Sequence, residues 1–442
     1  MDNNEQKAIE SLNLLETEKP EASVKGTSKL NNAMAFLMLF KSCVGLGVFS
    51  YPFAFSKVGY IWGSVLSMVI CYVTTYGMYI MTDISNKIEL ETNFNETFYD
   101  FHRICEYVAV KAYGPKFGTM FSSFSNLITL LMNGSLITAS IVNITNQTIS
   151  LLGLSKIQIK LLILLIYMGI SAYAILPQQL KVFSFISAVV SIFVLSSMFY
   201  DNIDALVFSI YPQNIDINYQ ASNLGGTGLF LSMAGFAYEA IGTVFSIRKA
   251  MANPHSLASM IKYGFPMIGV MYTVYSLSFY FVYGKDNILP FTLLFYPKDL
   301  RPLFYAFGLV FCFALLLFIP LNNISNSEIL QDRSFIKALL QDASGQPSAI
   351  RLILFRWLLL LLATLPALIT DKVELVLGVT GSLVVPMISL LIPLAVKYMF
   401  DKCRDNKSSV AWMIHDCLVA VLGLLVFVFG LLSAIQGIRE AK

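Results

Sequence analysis

Two long apolar stretches of the chain hold polar and helix-breaking residues in their middles. From Leu39 to Tyr60, LFKSCVGLGVFSYPFAFSKVGY carries Lys41, two glycines one residue apart (Gly45 and Gly47) and Pro52. In GGTGLFLSMAGFAYEAIGTVFSIRKAMANP, Gly235 and Gly242 flank an acid, Glu239. Glycine removes the side chain that shields the backbone and tolerates non-helical dihedrals. Pro52 lacks the amide that the carbonyl of Val48 would bond. Unsatisfied backbone in lipid costs several kcal/mol per group, so such a break survives only against protein or a wet cavity. A helix unwound halfway presents amides and carbonyls that suit the charged ends of a zwitterion and a coupling ion. The candidate contacts are the backbone of Ser42, Val44, Gly45, Leu46 and Gly47, with Phe236 and Tyr238 beside the second break to cap an apolar side chain. A lone charge at mid-membrane costs about 2.5–3.5 kcal/mol, so Lys41 and Glu239 are expected to pair. Glu239 is also the mid-membrane acid available to carry a proton. The structural alternative is that the glycines allow close helix packing, Pro52 kinks a helix and the ion pair holds register.

Other chemistries find no residues. The three histidines, His102, His255 and His415, lie in or beside loops and far apart in sequence. Among six cysteines, Cys43, Cys71, Cys312 and Cys417 fall in apolar runs, and Cys105 and Cys403 in loops expected on the reducing side, so no disulfide is expected. There is no HExxH, GxSxG or GxxxxGK pattern, and GLGVFS lacks the last glycine and the preceding strand of a dinucleotide fingerprint. No enzyme activity, metal or organic cofactor is expected, and the candidate coupling ions are H⁺ and Na⁺.

The elements that position these residues are membrane spans. Only 13% of residues are charged and 56% are hydrophobic, about half the charge of a soluble domain. Eleven apolar stretches are long enough to cross, at 33–56, 60–82, 117–150, 157–176, 180–199, 224–248, 264–283, 302–327, 350–369, 373–397 and 412–437. Residues 1–32 form a polar tail without a cleavable signal. With the tail inside, 20 Lys and Arg fall on its side and 9 on the other, which places the N-terminus in the cytoplasm. A net charge of +3 points to no nucleic acid, and the oligomeric state is left open.

The third span adds a polar stripe. Ser122, Asn126, Thr129, Asn133, Leu136, Ser140 and Asn143 recur every three or four residues on one helical face. Asparagines in hydrocarbon need partners or water, so the stripe lines a pathway or bonds neighbouring helices, with Asn133 the candidate substrate contact. Ser184, Ser187 and Ser191 in the fifth span read as a close-packing face.

FKSCVGLGVFSYPFAFSKVGY resembles the opening signature of the amino acid/auxin permease family, in its branch of proton-coupled and vacuolar amino acid transporters. FAYEAIGTVFSIRKAMANP is similar to that family's sixth-helix segment, and FIPLNNI and ELVLGVTGSLVVPMISLLIPLAVKY also fit, over roughly 30–440. The resemblance implies an all-α membrane fold of eleven helices, a LeuT-like five-plus-five inverted repeat with helices 1 and 6 discontinuous. The expected division is 1–32 tail, 33–199 first repeat, 200–397 second repeat and 398–442 last helix. Met38 stands where the proton-coupled branch often has His, Arg248 where it has an acid, and Asn322 and Asn323 where an acid is common. The expected activity is secondary active transport of small neutral amino acids by alternating access, proton-coupled, in a plasma or vacuolar/lysosomal membrane. An amino acid sensor on the same scaffold is the second reading.

Overall fold

The computed structural model describes residues 30–92, 100–173, 177–207, 217–290, 301–331, 334–341, 348–404 and 409–439. The expected tail up to residue 29 lies outside them, as does the side chain of Ser184. Among the described residues the regular structure is helical, apart from one bridge between Leu30 and Met251. Helices are what lipid demands, because each amide and carbonyl must find its partner within its own segment.

The first span is two helices, α1 (Asn32–Cys43) and α2 (Leu46–Val58), bent by 48° at their junction. It is followed by α3 (Tyr60–Glu91), a short amphipathic α4 (Phe101–Tyr113) and the long α5 (Pro115–Leu152). Then come α6 (Lys156–Tyr173) and α7 (Pro177–Val207). The sixth span is again two pieces, α8 (Thr227–Tyr238) and α9 (Ile241–Ala250). Next are α10 (Leu257–Tyr283), α11 (Arg301–Gln331), α12 (Ser334–Leu340) and α13 (Ala349–Ile369). α14 (Val373–Val385) runs through a π-turn at Pro386–Leu391 into α15 (Ile392–Cys403), and α16 (Val410–Arg439) closes the chain.

Among the described residues nine helices are long and apolar enough to cross a membrane, and the bent α1–α2 pair makes ten. The expected count of eleven also included 157–176, where the structure describes the 18-residue α6. The chain is a multi-pass membrane protein. Proline does not set the break in the first span: α2 continues through Pro52, and the unwinding lies upstream, at Val44 and Gly45.

Two sets of hydrogen bonds hold the spans in groups. In the first, the Ser67 hydroxyl on α3 meets Tyr51 of α2 (3.0 Å), Tyr238 of α8 (3.1 Å) and Thr273 of α10 (2.8 Å). In the second, Asn133 of α5 donates to Asn326 of α11 (2.9 Å), Thr138 of α5 to the Ala363 carbonyl of α13 (2.7 Å), and Ser187 of α7 to the Ala314 carbonyl of α11 (3.0 Å). Each such bond contributes about 0.6 kcal/mol in a membrane. Their main effect is therefore to fix which faces meet. The two broken spans belong to the first group, and a cavity lies where they meet the second.

Candidate functional site

The backbone leaves the α-helix at Val44 (φ −74°, ψ 91°) and Gly45 (φ −154°, ψ −144°). The break strands groups at both ends. On the α1 side, Tyr272 of α10 donates its hydroxyl to the Cys43 carbonyl at 2.5 Å. On the α2 side, no side chain caps the first turn, so its leading amides form a bare positive helix end. A Cβ at Gly45 would meet nothing within 4 Å, and Gly45 lines the cavity. Gly47 differs: a Cβ on it would lie 2.5 Å from the Cα of Ala237, so this glycine lets α2 and α8 touch.

The sixth span opens at Glu239 (φ −72°, ψ 124°) and Ala240 (φ −146°, ψ 7°). Here the break is filled from within. Oε1 of Glu239 accepts the Ile241 amide at 2.8 Å, capping α9 with a carboxylate at its positive end. The expected ion pair is absent: among the described residues none joins Glu239 to Lys41. The ammonium of Lys41 instead lies 3.6 Å from the centroid of the Phe318 ring on α11. Helix ends explain the correction. Lys41 sits in the last turn of α1, the negative end, and Glu239 precedes the first turn of α9, so each charge is met by its own half-helix.

The cavity between the breaks has a volume of about 50 Å³. Its lining includes nine of the ten sequence candidates: Lys41, Ser42, Val44, Gly45, Leu46 and Gly47 from the first span, Asn133 from α5, and Phe236 and Glu239 from the sixth. Tyr238 is the exception. Two residues on from Phe236 it has turned away, stacks on Tyr272 (5.1 Å) and bonds Ser67, so it holds the bundle instead of facing the cavity. Of the α5 stripe, Asn133 and Leu136 line the cavity, while Ser122, Asn126, Ser140 and Asn143 are buried elsewhere in the bundle. The lining also includes Ser187 and Ser191, expected only to pack.

The face missed from sequence is on α11. Phe311, Leu315, Phe318 and Asn322 recur at four, three and four residues and all line the cavity. The spacing argument that found Asn133 could have pointed to Asn322, but not to the three apolar residues, whose face looks the same as one turned to lipid. Asn322 is 5% exposed, and its Nδ2 has no partner among the described residues, so it is a donor waiting in the wall. Away from the cavity, the departure at Arg248 is compensated. Its guanidinium is buried and grips Glu89 of α3 with two bonds of 2.8 and 3.0 Å, with Asn86 at 2.6 Å.

The arrangement offers an unfilled amide end, a free carboxamide donor and an aromatic wall around a small space flanked by one cation and one acid. Residues 28–436 match the sequence model of a family described as transmembrane amino acid transporter protein. A Drosophila melanogaster protein named proton-coupled amino acid transporter-like protein pathetic is 22% identical over 91% of this chain and 84% of its own length. Vacuolar amino acid transporter 3 of Saccharomyces cerevisiae is 26% identical over 70% of this chain, a match that spans 42% of that protein. Among solved structures, Mhp1, a nucleobase-cation-symport-1 family transporter in a closed conformation with bromovinylhydantoin bound, superposes with a TM-score of 0.54. It is 12% identical, over 92% of this chain and 91% of that one. The fold is therefore that of the LeuT-like transporters, and these relatives are transporters, not enzymes.

Proposed function

The chain belongs to the transmembrane amino acid transporter family, and from that premise we propose that it moves small neutral amino acids by alternating access, coupled to protons. One observation carries the assignment: the first turn of α2 is uncapped and faces open space at Gly45. A carboxylate is the natural occupant of a bare helix N-terminus. The substrate ammonium then faces the negative ends of α1 and α8, one at each of the two breaks. Asn322 Nδ2 supplies a further donor to the carboxylate, and Phe236 and Phe311 close on the side chain.

Size and charge set the substrate class. A water needs roughly 10–15 Å³ on this measure of volume, so about 50 Å³ suits only a few heavy atoms. Among the described residues the sole acid in the lining is Glu239, and its carboxylate already holds an amide, so a cationic side chain finds no counter-charge. Glu239 is the group we assign to the proton, since it borders the cavity without an ion-pair partner. Residues 33–199 and 200–397 form the two repeats, and the two hydrogen-bonded groups of spans rock about the cavity. The basic residues favour a cytoplasmic N-terminus, in a plasma or vacuolar/lysosomal membrane.

Uptake of labelled alanine into proteoliposomes under imposed pH and Na⁺ gradients tests this. The expected result is accumulation driven by pH, with competition by neutral amino acids stronger than by arginine. Binding without uptake would reassign the protein as a sensor, and preference for arginine would overturn the substrate class.

A further inference from the structure

A second, far larger space lies on the bundle's flank. It is a groove of about 830 Å³ between α3, α10, α15 and the start of α16. Its size falls in the range of ligand pockets, yet it takes no part in the site above. Its character changes along its length. Toward the middle of α3 the wall is Met68, Cys71 and Tyr72; toward the N-terminal side of the bundle it holds Lys87, Lys262 and Asp401. Met68 and Tyr72 are exposed, as they would be against acyl chains. Trp412 at the rim is exposed too, a side chain suited to the interface between tails and headgroups.

Three lysines and two aspartates line the groove, and they do not pair one to one. Lys87 pairs with Asp83 at 2.7 Å, and Lys397 with Asp416 at 2.6 Å. Lys262 has no acidic partner within ion-pair distance among the described residues, and its ammonium lies 5.6 Å from the centroid of the Tyr263 ring. Pro266, one turn on in α10, also lines the groove and cannot supply the amide that the Lys262 carbonyl would otherwise accept. The polar end of the groove thus offers an unpaired ammonium beside a carbonyl without its helical amide. Above it runs an apolar, aromatic channel open to the membrane.

We infer that this groove binds an anionic glycerophospholipid of the leaflet on the N-terminal side. Its phosphate lies on the Lys262 ammonium and an acyl chain along Met68, Cys71 and Tyr72. Basic pockets between spanning helices take such headgroups. The groove is walled by α3 and α10 of the first hydrogen-bonded group on one side and by α15 and α16 on the other, so the lipid bridges them.

Trp412 reports occupancy directly. The full chain is placed in nanodiscs of phosphatidylcholine containing a small fraction of lipid brominated on its acyl chains, either phosphatidylserine or phosphatidylcholine. The Trp412 contribution is obtained by difference from Trp412→Phe. Brominated phosphatidylserine should quench it at about one fifth the mole fraction that brominated phosphatidylcholine requires, the advantage expected from one lysine. Lys262→Gln should abolish that advantage, Lys262→Arg should retain it, and Lys249→Gln, a lysine outside the groove, should leave it unchanged. Equal quenching by both lipids in the unmodified protein would mean ordinary boundary lipid and would overturn the inference. A preference that survives Lys262→Gln, or is lost with Lys262→Arg, would overturn it as well.

Discussion

At the break between α1 and α2 the helix begins with no side-chain cap and a Cβ at Gly45 would meet nothing; at the break between α8 and α9 the carboxylate of Glu239 already holds the Ile241 amide. Both interruptions expose the same kinds of backbone group. One leaves its positive end vacant, and the other fills it with an acid of its own. The difference separates two tasks. A vacant amide end can take a carboxylate from outside, while an acid at a capped end can gain or lose a proton and change how firmly that cap holds. It also explains why Lys41 and Glu239 share a cavity wall without pairing.

The largest expected effect comes from filling the vacant break. Gly45→Leu should reduce alanine uptake to background while membrane insertion stays near normal, since its first added atom enters open space and the rest fill the cavity. Substantial uptake by this variant would show that the substrate lies elsewhere. Next is the donor facing that break. Asn322→Ala removes a hydrogen bond to a charged group, worth about 1.5–3 kcal/mol. KM for alanine should rise by about tenfold or more with expression unchanged; an unaltered KM would remove Asn322 from the site. Gly47, two residues from Gly45, should behave in the opposite way. Gly47→Ala forces a Cβ against Ala237 and should cost about 1–3 kcal/mol in stability. Its melting temperature should fall where that of Gly45→Ala does not, and equal melting would dissolve the distinction between the two glycines.

The smallest effect is outside the membrane. Asp371, between α13 and α14, bonds Lys160 at 2.5 Å and Lys156 at 2.9 Å. Partial burial pushes its carboxyl up, but the two lysines outweigh it and hold it below the ordinary value of 3.8. A depressed carboxylate adds stability above its unfolded pKa and loses it as pH falls through the folded value. Asp371→Asn should therefore melt slightly lower than the unmodified protein at neutral pH, with the gap closing only below about pH 4. A gap that closes near pH 6 would assign the effect to another group.

The broken spans were legible in the sequence because glycine, lysine and glutamate are conspicuous inside apolar runs. Asn133 was legible for the same reason, through its three-and-four spacing with other polar residues. Phe311 and Phe318 were not, since an apolar face toward a cavity and one toward lipid have the same composition. Tyr238 was misassigned because proximity to a break does not fix direction: two residues of helix rotate a side chain by about 200°, which separates Phe236 in the wall from Tyr238 in the bundle. The Lys41–Glu239 pair was expected from the cost of lone charges. Composition does not display the ends of half-helices, and those ends are what accommodate the two charges.

The most direct test compares exchange with accumulation in the same proteoliposomes. Glu239→Gln keeps a side chain of the same shape, with an oxygen to cap α9, but cannot carry the proton. This variant should exchange internal for external labelled alanine at a rate near that of the unmodified protein, yet fail to concentrate alanine under an imposed pH gradient. Concentration of alanine by Glu239→Gln under that gradient would contradict the assignment of the proton to Glu239.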